Sequence, residues 1–296
     1  MMNKRARTRF IIGFLAPASI FYAGLFLWPL IQSFAISMFR WRGISGKKTF
    51  VGFQNFTTLL DDVAFKKAIT HNLWLLVVSG ICVFSLGILI AHGIQHKSKI
   101  ASVMRGLYLF PHVISLVAVS ILWQFILNPA FGILTSALKG LGLGAYVKPW
   151  LGDPSTALAC VGGAFIWYVI GFYIMLFSAG LRSIGDEVKE AAELDGVTGL
   201  KKFFSITWPL LWSVKRTASI YLVINVMNIF ALVFLMTKGG PDRGTETMLT
   251  YLYEQSFRNM QFGYGTALAV VNFLAAMVLS AVLALVYRKS PERGRA

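Results

Sequence analysis

Six long stretches of this chain carry no Lys, Arg, Asp or Glu: residues 10–39, 69–95, 107–128, 157–181, 217–237 and 266–287. A bilayer core about 30 Å thick takes about 20 apolar residues in helical form, so each stretch is long enough to cross one. Six such segments rule out a water-soluble fold. Composition agrees: 56% of the 296 residues are hydrophobic and 14% charged, against about 25% charged in a soluble domain, and mean hydropathy is +0.67. The same numbers exclude a disordered or collagen-like chain. The expected architecture is one polytopic, all-α membrane domain over residues 1–296 with six transmembrane helices.

A net charge of +16 would suggest nucleic acid in a soluble protein. Here the basic residues fall in short segments between the apolar stretches, which favours membrane topology. With the N-terminus in the cytoplasm, the inner segments 1–9, 96–106, 182–216 and 288–296 hold 17 Lys and Arg in 64 residues, and the three outer loops hold 11 in 85. That asymmetry has the sense of the positive-inside rule, and an even number of spans leaves both termini inside. The first outer loop is the exception, with Arg40, Arg42, Lys47, Lys48, Lys66 and Lys67. The first stretch follows Lys4, Arg5, Arg7 and Arg9 but far exceeds the apolar region of a signal peptide, so it is expected to stay as a membrane anchor. Cys82 and Cys160 lie inside apolar stretches and read as small packing residues rather than disulfide partners or metal ligands.

Absences bear on the energy source. Ion-coupled transporters, pumps and voltage sensors keep ionisable side chains at membrane depth. Here only His71, His92 and His112 lie near or within the stretches, each toward an end, where interfacial or helix-packing roles are expected. Gly46-Lys47-Lys48-Thr49 lacks the order of a phosphate-binding loop. No His-Glu-x-x-His pair occurs, and Ser183-Ile-Gly-Asp186 lacks the first Gly of an intramembrane protease signature. Neither catalysis, a metal site nor energy conversion is visible in this polypeptide, so uphill movement would draw on a partner.

Residues 182–216 form the one inner segment long enough for structure of its own. Ser183-Ile-Gly-Asp186 reads as a capping box. Glu187 to Asp195 follows, with Val188, Ala191 and Ala192 on one face and Glu187, Glu190 and Glu193 on the other. Gly196 suits a left-handed helix end, Thr198 can cap a second short helix carrying Lys201, Lys202, Phe203, Phe204 and Ile206, and Pro209 suits the first turn of the next. The segment is thus a helix-turn-helix. An amphipathic connector on the lipid surface is one reading of it.

A second reading comes from its spelling. Glu190-Ala-Ala-x-x-Asp195-Gly196, with Phe203 and Pro209 at fitting intervals, resembles the "EAA" loop of the permease subunits of bacterial binding-protein-dependent ATP-binding-cassette importers. Other strings extend the resemblance over nearly the whole chain and are similar to the carbohydrate branch. They are Phe50-Val-Gly-Phe-Gln-Asn-Phe56 with Leu59, Asp61 and Phe65; Pro111 through Trp123 to Asn128-Pro-x-Phe-Gly132; and Trp167 with Ala179-Gly180-Leu181 running into Ser183-Ile184. Thr237-Lys-Gly-Gly-Pro241, then Tyr253, Phe257 and Phe262-Gly-Tyr-Gly-x-Ala267, complete the order. Two departures are Gly185 and Gly199, where the family often has Pro.

The resemblance implies a type I importer permease fold in the bacterial inner membrane. It also implies that Glu190, Ala191, Ala192, Asp195, Gly196, Phe203 and Pro209 belong to a coupling helix docking on a cytoplasmic ATPase. The implied partners are a second homologous permease, an ATPase dimer and an extracytoplasmic solute-binding protein. The chain itself would hold no cofactor, ATP and Mg being bound by the ATPase. The short C-terminal tail resembles the first permease of such pairs.

With no charge in the spans, a polar solute must be handled by amides, hydroxyls and aromatic faces, chemistry suited to a neutral sugar. Asn225 and Asn228 share a face near the middle of the fifth stretch, with Tyr221 a turn away. The fourth stretch carries Trp167, Tyr168, Phe172 and Tyr173, with Tyr168 and Phe172 on one face. The two Asn residues could equally bond neighbouring helices, at about 0.6–2 kcal/mol each. A transport subunit is the favoured class. A self-contained channel is opposed by the long structured inner segment, and a membrane enzyme by the lack of any paired acid and base or nucleophile at one depth.

Overall fold

The computed structural model describes residues 4–44, 46–94 and 99–288 and is almost entirely helical. The chain opens with α1 (Lys4–Tyr22), a π-helical turn (Ala23–Leu27) and α2 (Trp28–Ile36). A two-residue hairpin, β1 (Phe39–Arg40) and β2 (Thr49–Phe50), precedes α3 (Gln54–Asp61) and the long α4 (Val63–Gly93). Then come α5 (Lys99–Val113), α6 (Leu116–Ile126), α7 (Ile133–Gly140) and α8 (Pro154–Ser183). Short helices α9 (Asp186–Leu194), α10 (Gly199–Lys202) and α11 (Trp208–Leu210) lead to α12 (Trp212–Met227) and α13 (Ala231–Met236). The chain closes with α14 (Met248–Tyr253) and α15 (Phe262–Val286).

Among the described residues, four continuous helical stretches are long and apolar enough to cross a membrane: Phe10–Ile36, Val63–Gly93, Pro154–Ser183 and Phe262–Val286. One further pair of helices meets the same length and composition test only when taken together, as a broken span or a re-entrant loop. Gly106–Val113 and Leu116–Ile126 meet at 103°, just after Pro111, whose ring removes a backbone donor and disturbs the carbonyl four residues back. The expected stretch 217–237 is also interrupted, since α12 ends at Met227 and Asn228 to Phe230 leave the helix before α13. Proline shapes two further segments. The π turns Ala23–Leu27 and Phe203–Thr207 run just ahead of Pro29 and Pro209, where a widened turn accommodates the missing donor.

Packing divides the chain into two units. In the unit made of the N-terminal segment to Asp62 and Leu252–Phe273, Phe39 pairs with Phe50 and Arg40 with Thr49 in antiparallel register. Asn55 on α3 donates to Ser37 O (2.7 Å) and Phe39 O (3.1 Å), fixing that helix to the hairpin's base. The Tyr264 hydroxyl donates to the Asp62 carboxylate.

In the other unit, Val63–Tyr251 and Leu274 onward, α4 and α5 both pack on α8, and α12 packs on α4 and α8. Val83, Val161, Phe177, Leu222, Val226 and Leu232 lie in its core. Gly171 lets α5 cross α8, because a Cβ there would sit 1.7 Å from the Tyr108 carbonyl oxygen. Fully buried Asn72 clamps the interrupted helix, donating to Val226 O (2.8 Å) and accepting from Met248 N (2.9 Å). Outside the spans, Asp153 caps α8, accepting from Ser155 N (2.9 Å) and Ser155 Oγ (2.7 Å). Those two bonds, and then Lys148, hold its carboxyl below the usual carboxylate range.

Candidate functional site

Two places collect the residues that the sequence singles out. The first is the helix-turn-helix after α8. Its turn forms as expected: Gly196 takes φ +70°, and Val197 N donates to Ala192 O (2.8 Å), closing α9. Gly199 also lies in the left-handed region, at φ +57°, which proline cannot enter. Gly185, at φ −56° and ψ 145°, has a conformation that proline readily adopts. One departure from the family's spelling therefore changes the turn and the other does not.

The expected caps do not form. α8 runs on through Ser183, whose Oγ donates back to Gly180 O (2.7 Å), so Gly185 becomes the cap of α9. Thr198 precedes α10 without a side-chain bond to it. Both faces of α9 are largely open. Ala192 alone is buried, while Val188, Ala191 and Leu194 stand in the open with Glu187, Glu190 and Asp195. Lys202 pairs with Glu193 at 2.9 Å and ties α10 to α9. Phe203 turns inward, packing its ring against Phe204 (5.0 Å), Trp208 (6.1 Å) and His92 of α4 (6.4 Å), and Pro209 lies half-buried behind it. The segment thus has an anchored base and a free helix face mixing acids with apolar side chains.

The second place is an aromatic cluster within the helices. Phe172 of α8 lies 4.7 Å from Tyr221 of α12, and His112 at the end of α5 lies 5.0 Å from Tyr168 and 5.5 Å from Phe172. Tyr173 closes the group, 5.6 Å from Phe172 and 6.2 Å from Tyr221. Trp167 faces elsewhere, onto Trp123 at 5.9 Å. Half-buried Asn225 donates to Tyr221 O and exposed Asn228 to Ile224 O, both at 2.8 Å, each within its own helix. Side-chain bonds between helices come instead from Asn72 and from Gln124, which donates from α6 to Leu235 O of α13.

Asn72 was not singled out from sequence, and His112 and Tyr173, both named there, were not placed in one cluster. Pro111 beside His112 was the available signal, since a kink there carries the imidazole toward α8. The buried His112 Nδ1 and Tyr173 hydroxyl have no hydrogen-bond partner among the described residues. Tilted and edge-on aromatic rings with unsatisfied polar atoms among them can hold the C–H faces and hydroxyls of a sugar. Among the described residues, no three His, Cys, Asp or Glu side chains gather as metal ligands.

These features define a helical membrane permease. The chain matches the model of the family described as "Binding-protein-dependent transport system inner membrane component" over residues 84–293, and it belongs to that family. It is 34% identical to the diacetylchitobiose uptake system permease protein NgcF of Streptomyces coelicolor, over 95% of this chain and 83% of that one. It is 32% identical to the probable ABC transporter permease protein YurN of Bacillus subtilis, over 90% and 92%, and 29% identical to the sulfoquinovosyl glycerol transport system permease protein SmoG of Agrobacterium fabrum, over 93% and 89%. A solved bacterial ABC transporter that imports the acidic polysaccharide alginate shares the fold, with a TM-score of 0.82, 23% identity and 96% of each chain covered. The protein is accordingly a multi-pass inner-membrane transport subunit and not an enzyme.

Proposed function

We propose that this chain is one of two permease subunits of an ATP-driven importer for a carbohydrate delivered by an extracytoplasmic binding protein. In this reading it acts as one polytopic domain with six crossings, the broken 217–237 segment being the fifth, and with both termini in the cytoplasm. The observation that carries the reading is the free face of α9, where Glu190 and Ala191 stand exposed at the segment resembling a coupling helix. An uncovered helix with acids beside Val188 and Leu194 is suited to a partner's cleft. Ala192, Asp195, Gly196, Phe203 and Pro209 shape and anchor that helix.

The solute path runs beside Tyr168, Phe172 and Tyr221, with Asn225 and Asn228 farther along α12 toward the outer side and Trp167 at its margin. A sugar cargo is supported by the relatives whose names specify one, diacetylchitobiose and sulfoquinovosyl glycerol. ATP and Mg are held by the partner ATPase, and this chain holds no cofactor. The test is reconstitution with a second permease, the ATPase and the binding protein in vesicles: sugar uptake should require ATP and the binding protein. Uptake proceeding without both would refute the proposal.

A further inference from the structure

The first outer loop holds six Lys and Arg, on the side of the membrane where the orientation rule expects few. Four of the six lie in the unit that joins the N-terminal segment to Leu252–Phe273. There the hairpin, α3 and residues 259–264 bound a recess of about 1010 Å³. Arg40, Arg42 and Lys47 line it with Trp41, Gln54 and Gln261, and among the described residues no Asp or Glu does. Arg40 Nη2 donates to Gln54 Oε1 at 3.2 Å, which orients the guanidinium and leaves its other N–H groups for a ligand. No ion pair between described residues engages Arg40 or Arg42. Lys48 adds charge at the wall, its ammonium 4.2 Å from the centre of the Trp41 ring. At the margin Met260 holds φ +53°, a conformation that side-chain-bearing residues adopt where surrounding structure enforces it, often at ligand sites.

The geometry points to this recess as a binding site for an acidic carbohydrate, a sugar bearing a carboxylate, sulfonate or phosphate, held before it enters the helices. Guanidinium groups take such anions in paired hydrogen bonds, while side-chain amides and an indole face take hydroxyls and ring C–H groups. A neutral sugar would bring no anion to Arg40 and Arg42. A recess this size is at the upper end of the roughly 300–1,000 Å³ common for small-molecule sites. Its positive potential would also concentrate an anionic solute at the mouth. The inference rests on the importer reading and its orientation and narrows the cargo to acidic sugars.

The test is titration calorimetry on the full chain in phosphatidylcholine nanodiscs, with digalacturonate and glucose 6-phosphate as acidic probes and galactobiose as the neutral one. At least one acidic probe should bind about tenfold or more tighter than galactobiose, and added salt should weaken it. The pair Arg40→Gln and Arg42→Gln should remove that preference, while Arg40→Lys and Arg42→Lys keep most of it. Equal affinity for acidic and neutral probes, no acidic binding, or Gln variants that bind like the parent would overturn the site. So would loss of probe binding in nanodiscs containing phosphatidylglycerol, which would assign the recess to lipid headgroups. The readout needs neither ATP nor partners, so failure here leaves ATP-dependent uptake standing, and failure of uptake leaves this titration interpretable.

Discussion

The loop after α8 and the aromatic cluster between α5, α8 and α12 are unfinished in opposite ways. In the loop, Leu194 is 90% exposed and Leu200 78%, apolar surface with nothing over it. In the cluster the rings already touch one another, and what lacks a partner is polar, the His112 Nδ1 and the Tyr173 hydroxyl. On the proposed reading a docking protein would supply what the first region lacks, and a hydroxylated solute what the second lacks. Substitutions in the loop should therefore act on assembly and coupling, and substitutions in the cluster on packing and transport within this chain.

The largest effect is expected at Gly171. Gly171→Ala puts a methyl group into the Tyr108 carbonyl, backbone against backbone, so α5 must move off α8 at a cost of about 1–3 kcal/mol or more. The yield of monodisperse protein on size-exclusion chromatography should collapse. A variant that elutes like the parent would separate α5 from α8 and take His112 out of the cluster.

Next comes the turn. Gly196→Val at φ +70° costs about 1 kcal/mol or more, and Glu190→Lys reverses the charge on the exposed face. Both should abolish ATP-driven uptake while membrane insertion, judged by the amount of protein in the membrane fraction, stays at the parent level. Normal uptake by either would move the coupling role off α9.

The third prediction separates cargo contact from packing. Because Asn225 and Asn228 each bond only within their own helix, replacing either by Leu should leave the amount of assembled complex unchanged. Transport per complex should fall about two- to tenfold, the worth of one hydrogen bond. Loss of assembly with normal transport per complex would make them packing residues.

Smallest is a gain. Gly185→Pro fits its φ of −56°, and Ile184 before it already has ψ 115°, so the variant should be more stable by about 0.4–1 kcal/mol without change in uptake. Gly199→Pro, at φ +57°, should instead disrupt the turn. Thermal unfolding of the two variants in detergent checks both.

How much of this was legible depended on the range of the interaction. The apolar stretches and the Gly196 turn follow from local chemistry and could be read directly. The capping box at Ser183 failed because α8 keeps its helix through that residue, a choice made by packing along its length rather than by the four-residue string. The breaks in 107–128 and 217–237 were hidden by hydropathy, which does not register that Pro111 ends a backbone ladder or that Asn72 can satisfy Val226 O from another helix. That His112 and Tyr173 meet around Phe172 could not be read, because it depends on which helix lies across from which. The recess at Arg40 and Arg42 left a trace in the sequence, as a loop too basic for its side of the membrane.

The central claim is that α9 carries the contact with the ATPase. The most direct measurement is copurification of the complex with Leu194→Asp, a change on a fully open side chain that disturbs no contact inside the chain. The account predicts that the variant comes out with the second permease but without the two ATPase copies, and that ATP-driven uptake is lost. A variant that retains both ATPase copies and full uptake would contradict it.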